Sequence, residues 1–250
     1  MRTIPPEFYK VAAEELVLVL HGLYRRMWED EKVPLQWSLL ILVPVFKKGD
    51  RTLCANYRGI SLLDISMKIF ESILLHRFQA STDKLFRDNQ AGFRPGKGCC
   101  DQIFSLRMLL SKRLEFRQPT CILFINFKAA FDSVSRDALW KILEVYGMPR
   151  KLIAIFRALY TCTKCAVRVN GRDSGAFSVN TGVRQGAISS PVLFNFAIDW
   201  VMHNAVESCR AEGNRVGISL GDQQIIDLNY ADNIVLCQNL NMICRFLLTR

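Results

Sequence analysis

The sequence predicts an α+β fold, and three features carry that prediction. Cys121–Phe127 (CILFINF) is a short, almost wholly apolar run with a β-branched bias, the composition of a buried strand. Several longer stretches repeat apolar residues three or four positions apart, the period of a helix. Two turn signals, Asn170–Gly171 and Ala231–Asp232–Asn233, each separate a pair of short strand-like segments and predict hairpins.

The elements follow in chain order. Phe8, Ala12, Leu16, Leu20, Leu23 and Met27 keep helical spacing over 8–28, after the starting signal Pro5–Pro6. Leu39–Phe46 reads as a buried strand with Pro44 near its end. Ile65, Ile69, Ile73 and Phe78 form a second helical face. A third helical segment opens at Asp101, with Ile103, Leu106 and Leu110 on one side. Cys121–Phe127 follows as a central strand covered on both faces. Ser135–Tyr146 is a helix stopped by Gly147 and Pro149, and another runs from Lys151 to about Tyr160. Ala166–Asn170 and Ala176–Asn180 form the first hairpin. Leu193, Ala197, Trp200 and Val201 mark a helix over 190–206. Ile225–Tyr230 and Ile234–Cys237 are the strands of the last hairpin.

Composition narrows the class. The 250 residues are 50% hydrophobic and 22% charged, enough to build a core and too apolar for a disordered chain. The longest apolar run, Leu39–Phe46, is too short to span a bilayer. The opening MRTIPPEFYK has no apolar core and does not read as a secretory signal. The 9 cysteines are an odd, scattered set, which argues for reduced thiols and an intracellular setting, nucleus or cytoplasm. Cys162 and Cys165 make a CxxC without a second ligand pair, so the ordinary reading is free thiols, not zinc.

The net charge of +10 is unevenly placed. Residues 51–120 carry 12 basic against 6 acidic groups, and residues 121–200 carry 10 against 5. Residues 1–50 balance at 7 and 7, and residues 201–250 at 4 and 5. A basic excess inside structured sequence suits a polyanion, most often nucleic acid. A solvated basic surface is the plainer alternative.

Three blocks carry chemistry. In Ile125–Val134 (INFKAAFDSV) an apolar strand ends at polar Asn126, with Phe131–Asp132 beyond it. Gly182–Pro191 (GVRQGAISSP) is a glycine-bracketed loop with Arg184 and Gln185, able to present amide groups to a ligand. Leu228–Leu236 (LNYADNIVL) pushes Asp232 out of an apolar scaffold. Each also has an ordinary reading. Asp132 can be a helix cap, Gln185 can satisfy loop backbone, and Asp232 can simply form the turn.

In this order, and with three further segments, the blocks resemble the reverse transcriptase domain of non-LTR (LINE-like) retrotransposons. Pro34–Asp50 (PLQWSLLILVPVFKKGD), Asn56–Leu63 (NYRGISLL) and Gln90–Asp101 (QAGFRPGKGCCD) resemble the fingers segments. Phe124–Val134 resembles motif A, Gly182–Asn195 motif B, and Tyr230–Asn233 (YADN) motif C. The resemblance implies a right-hand polymerase fold, with fingers over 1–120 and a partial palm over 121–250. It implies a fragment that stops after motif C without a thumb, with apolar surface exposed where the remainder would pack. The implied reaction adds a deoxynucleotide to a DNA primer 3′-OH, copied from an RNA template, with Mg²⁺ as cofactor. Two-metal enzymes hold their cations about 3.5–4 Å apart.

The family supplies three aspartates for this, one at the end of the motif A strand and two at the motif C turn. Here the matching positions are Asn126, Asp232 and Asn233. Asp232 is thus the one expected metal ligand. An amide oxygen brings no charge to a hard cation, so the resemblance implies weakened or lost Mg²⁺ binding and impaired catalysis. Slow residual catalysis, as with Mn²⁺, is the weaker possibility. Phe131 matches the aromatic gate against a ribose 2′-OH, and Gln185 the motif B glutamine beside the incoming nucleotide. Arg58 and Lys47 or Lys48 match cations that hold the triphosphate, and Arg94 a template or nucleotide contact. For each cation a solvated surface charge is the alternative. A non-catalytic nucleic-acid-binding protein that keeps the basic fingers is the second reading of the whole chain.

Overall fold

The structure is a computed structural model that describes residues 6–213, 215–220 and 223–239. Helices and strands are mixed throughout, so the α+β expectation holds. The chain packs as two compact units, each built from separated stretches. One comprises residues 1–80 and 131–193, the other 81–130 and 194–250.

The first unit opens with helices α1 (Pro6–Val11) and α2 (Ala13–Asp30). The expected helix over 8–28 is therefore present with a joint at Ala12. Strands β1 (Leu39–Phe46) and β2 (Tyr57–Leu62) pair antiparallel, with Phe46 opposite Tyr57. Pro44 sits opposite Gly59 in that ladder. Helix α3 (Ile65–Asp83) follows and carries Met67, Phe70 and Leu74 into the core.

Later in this unit come α6 (Arg136–Val145), α7 (Arg150–Tyr160) and β4 (Lys164–Val169), after the short α5 (Ala130–Ser133). Ser135 caps α6, its hydroxyl accepting from the Ala138 N–H, and Gly147 ends it with φ +76. Phe156 of α7 is fully buried and meets Phe78 edge-on, ring centroids 5.6 Å apart. β4 lies parallel to β1, and its tight turn at Asn170–Gly171, both at positive φ, leads to β5 (Arg172–Asp173). β6 (Phe177–Ser178) returns along β4. The sheet order is β2-β1-β4-β5, with β6 also on β4.

The second unit contains α4 (Cys99–Glu115), which starts two residues earlier than expected. Asp101 lies in its first turn and accepts from the Gly98 N–H at 2.7 Å. Helix α8 (Ser190–Ala211) leads on to β7 (Ile218–Leu220) and β8 (Gln223–Ile225). β9 (Asp227–Tyr230) and β10 (Asn233–Asn239) form the last hairpin. The expected strand over 225–230 is thus interrupted at Ile226, between β8 and β9.

β3 (Thr120–Asn126) pairs antiparallel with β10, and the described sheet runs β3-β10-β9. The sequence expectation puts β3 in the centre, covered on both faces. Among the described strands it stands instead at the edge, with Leu123 44% and Phe124 71% exposed. An apolar run reports strand propensity, not neighbours. β10 holds the middle place. Leu109 of α4, Ile218 and Cys237 form a buried cluster beneath it, with Val235 against them. Ile103, Phe104 and Leu114 of α4 are exposed apolar side chains. The described cysteines are all free thiols, and Cys244 lies outside the described residues. Among the described residues no helix is long and apolar enough to cross a membrane.

Candidate functional site

The YADN turn sits at the tip of β9–β10. Antiparallel pairing brings Asn233 opposite Tyr230 in one strand and opposite Asn126 in the other. Asn126 and Asp232 therefore stand side by side at the ends of adjacent strands. The Asn126 Nδ2 donates to the Asn233 Oδ1 at 2.9 Å, and the Asn233 Nδ2 donates to the Asp232 Oδ1 at 3.3 Å. Asn126 and Asn233 are exposed and Asp232 is half-buried.

A second layer fixes this turn. Ala231 is buried and holds φ +56, a left-handed conformation that costs a non-glycine residue energy. Gln90, fully buried, grips that residue's peptide groups from both sides. Its Oε1 accepts from the Ala231 N–H at 3.1 Å and from the Gly92 N–H at 2.8 Å, and its Nε2 donates to the Ala231 carbonyl at 3.5 Å. Gly92 lies so close that a Cβ there would stand 2.2 Å from the Ala231 nitrogen. The Asn195 Nδ2 in turn donates to the Gly92 carbonyl at 2.8 Å.

The base of the hairpin is held by a buried ion cluster. Asp227, wholly buried, accepts from Arg87 at 3.1 and 3.2 Å and from Asn89 at 2.8 Å. Arg87 also pairs with Asp199 at 3.0 Å. Such a buried network holds only when every charge is partnered.

Arg94 differs from the expected template contact. Its side chain is buried, and its guanidinium donates to the Asp83 carboxylate at 2.7 Å and to the backbone carbonyls of Arg87, Gln90 and Asp83. Every arm of the fork is occupied, so Arg94 organises the loop that contains Gln90. That guanidinium holds the Asp83 carboxyl below the usual carboxylate range.

The remaining candidates lie in the other compact unit. The ladder of β1 and β2 puts Val45 opposite Arg58, so Arg58, Lys47 and Lys48 come to the same end of that pair. All of them are exposed. The Ser61 N–H of β2 donates to the Gln185 carbonyl at 2.7 Å, tying the motif B loop to this strand. Gln185 Nε2 lies 3.3 Å from each oxygen of Asp132. Phe131 is half-buried, and its carbonyl accepts from the Val183 N–H at 2.8 Å. A cleft of about 300 Å³ opens here, lined by Leu42, Gly59, Ser61, Asp132, Thr181 and Gln185 among others.

Buried and half-buried side chains brace the Gly182–Pro191 loop. Arg136 donates to the carbonyls of Tyr160, Val179, Thr181 and Gly182, at 2.8 to 3.2 Å. Arg184 is buried and donates to the Leu159 carbonyl and to Thr163 Oγ1. Glu71 of α3 accepts from both the N–H and the hydroxyl of Ser189 at 3.1 Å. Burial pushes the Glu71 carboxyl upward and the Arg184 guanidinium downward from their ordinary pKa values.

Sequence reasoning does not single out Gln90, Arg136 or Glu71. One signal is present for the cluster around Asp227. In DLNY the polar residues Asp227 and Asn229 alternate and both are buried, while Leu228 and Tyr230 are only half-buried. Polar residues on the inward face of a strand require buried partners.

A model of the reverse transcriptase (RNA-dependent DNA polymerase) family matches residues 45–244. The chain belongs to the reverse transcriptase family. This reverse transcriptase domain is 25% identical over 232 residues to the "Transposon TX1 uncharacterized 149 kDa protein" of Xenopus laevis, covering 92% of this chain and 17% of that protein. It is 23% identical over 209 residues to a Pol polyprotein from the type-1 retrotransposable element R2 of Popillia japonica, covering 83% and 28%. It is 25% identical over 222 residues to the RNA-directed DNA polymerase from mobile element jockey of Drosophila funebris, covering 88% and 23%. The domain thus spans under a third of the length of these relatives. The LINE-like resemblance read from the six sequence blocks holds. Its fold is shared with telomerase. The structure of telomerase from Candida Tropicalis with a TWJ fragment of telomeric RNA aligns at TM-score 0.61 and 11% identity, over 86% of this chain and 38% of that chain. The apo enzyme lacking its C-terminal domain aligns at TM-score 0.60 and 13% identity, over 86% and 46%.

Reverse transcriptases generally use Mg²⁺, and the residues at this tip do not fit it. Mg²⁺ takes hard, preferably charged oxygen ligands. The tip offers one carboxylate, and each of its amides spends an N–H₂ group on a neighbouring oxygen. Among the described residues no cluster of three His, Cys, Asp or Glu side chains could hold a metal ion.

Proposed function

We propose that this reverse transcriptase domain retains the grip of a copying enzyme on nucleic acid while its nucleotidyl transfer is impaired. The single observation that carries this is the composition of the tip. Asn126, Asp232 and Asn233 stand together at one strand end, and only Asp232 has a charge to give; in this reading they occupy the places of the family's three aspartates. Losing two carboxylates from a two-cation site removes several kcal/mol of transition-state stabilisation.

In this reading residues 1–120 serve as fingers and 121–250 as palm. Arg58, Lys47 and Lys48 are the cations for a triphosphate or a nucleic-acid backbone, and their shared, exposed end of β1–β2 supports that role. Gln185 and Phe131 are the contacts to the incoming nucleotide. The partners are an RNA template, a DNA primer and a dNTP. The basic excess over residues 51–200 favours retained strand binding even without chemistry, the non-catalytic reading.

Primer extension on primed RNA tests the proposal, with filter binding across a salt series. The wild-type chain is expected to bind, with affinity falling steeply in salt, and to extend no more primer than Asp232→Ala. Extension by the wild type that Asp232→Ala abolishes would overturn the impairment. An absence of binding at low salt would overturn the nucleic-acid grip.

A further inference from the structure

We propose that Asn126 and Asn233 are positioning residues whose side chains form a cation-independent clasp, adding amide hydrogen bonds to the backbone ladder that joins the Asp232 tip to β3. The inference rests on the reading that these two positions descend from carboxylates.

The direction of the hydrogen-bond chain is set by its one charged member. A carboxylate oxygen accepts, and the Asp232 Oδ1 does so here. The Asn233 amide must therefore turn its Nδ2 toward Asp232 Oδ1, at 3.3 Å. That leaves the Asn233 Oδ1 facing β3, where the Asn126 Nδ2 donates to it at 2.9 Å. Asn126 and Asn233 are register partners, so the backbone ladder already holds their side chains opposite each other. The amides then link three side chains from two strands without any added group.

The same geometry explains why the tip does not suit the ancestral residues without cations. Aspartate at 126 or 233 has nearly the same shape as asparagine but no donor. Each reversal turns an attractive contact into two acceptors facing each other, and the reversed tip brings three carboxylates together. Like charges at such distances repel unless a cation lies among them. The Gln90 grip on Ala231 persists in either case, so the turn remains in place to report the difference.

Thermal unfolding of the full chain tests this, with wild type and Asn126→Asp/Asn233→Asp each measured in EDTA and in millimolar MgCl₂. The wild-type midpoint is expected to be the same in both. The double variant is expected to melt about 2–6 °C lower in EDTA, the shift that removing one or two hydrogen bonds produces in a chain of this size. MgCl₂ is expected to return most of that loss. A double variant as stable as wild type in EDTA would overturn the clasp, as would a wild type stabilised by MgCl₂. A double variant that melts lower in EDTA and ignores MgCl₂ would uphold the clasp and overturn its carboxylate ancestry. Should the double variant not fold, Asn126→Ala decides, since it removes the donor and adds no charge. A lower midpoint, equal in EDTA and MgCl₂, supports the clasp; an unchanged midpoint overturns it.

Discussion

Asn126 and Asn233 face each other across the ends of β3 and β10, the amide nitrogen of one 2.9 Å from the amide oxygen of the other. In the function proposed above, this contact joins two positions that descend from acidic ligands. The Asn233 amide in turn points its Nδ2 toward Asp232 Oδ1, at 3.3 Å. The tip gathers one carboxylate and two amides, the donor set of a polar turn.

Gln90 is expected to decide whether that placement survives. Gln90→Ala leaves the Ala231 and Gly92 N–H groups without their buried acceptor, at a cost of about 2–4 kcal/mol. Gly92→Ala sets a Cβ at 2.2 Å from the Ala231 nitrogen and is expected to cost at least as much. Urea unfolding measures both. A loss below about 1 kcal/mol in either would show that the tip is held by its strands alone.

Glycines of the motif B loop are expected to divide from a glycine elsewhere by crowding. Gly182 and Gly186 have φ of +79 and +114, and a Cβ at either would lie 2.7 Å from backbone atoms of Asp132 or Ser61. Gly96 has φ +72 with open space around it. Alanine at 182 or 186 should destabilise by roughly 2–4 kcal/mol, and at 96 by about 1 kcal/mol, the strain of the backbone alone. Equal losses at all of these positions would contradict the close approach of the loop.

Acid should remove what Arg94 contributes through Asp83. The Asp83 carboxyl lies below its ordinary value because of the Arg94 guanidinium, so the folded state holds that proton less tightly than the unfolded chain. The resulting stability is present above the usual carboxylate pKa of about 4 and disappears as pH falls through the depressed value. The gap between wild type and Asp83→Asn should therefore narrow below about pH 4. A gap constant from neutral pH to acid would show that the pair contributes no charge energy.

Much of the fold was legible because local chemistry dictates it. Leu39–Phe46 is a strand with those bounds, and Asn170–Gly171 forms the positive-φ turn that its residues favour. Ala231–Asp232–Asn233 forms the expected tip, and Asn126 arrives beside it. What local chemistry does not encode is who lies next to whom. The apolar β3 proved to be an edge among the described strands, because its composition says nothing about its neighbours. Arg94 reads from the sequence as a template or nucleotide contact, and the carbonyls that occupy its guanidinium cannot be read there. Gln90 lies 141 residues from the Ala231 peptide it holds, beyond the reach of any periodicity.

The cations at one end of β1–β2 are expected to act together on nucleic acid. Replacing Lys47, Lys48 and Arg58 by alanine should weaken binding to primed RNA for all sequences alike. The slope of log affinity against log salt should fall by about one unit for each phosphate that the variant no longer neutralises. An unchanged slope would place the nucleic acid elsewhere.

Titration of the purified wild-type chain with Mn²⁺, followed by the electron paramagnetic resonance of the free ion, addresses the proposed loss of the cation site most directly. The free-ion signal is expected to rise in step with added Mn²⁺, with none withdrawn by the chain at micromolar concentration. A stoichiometric withdrawal of signal that Asp232→Asn abolishes would contradict it.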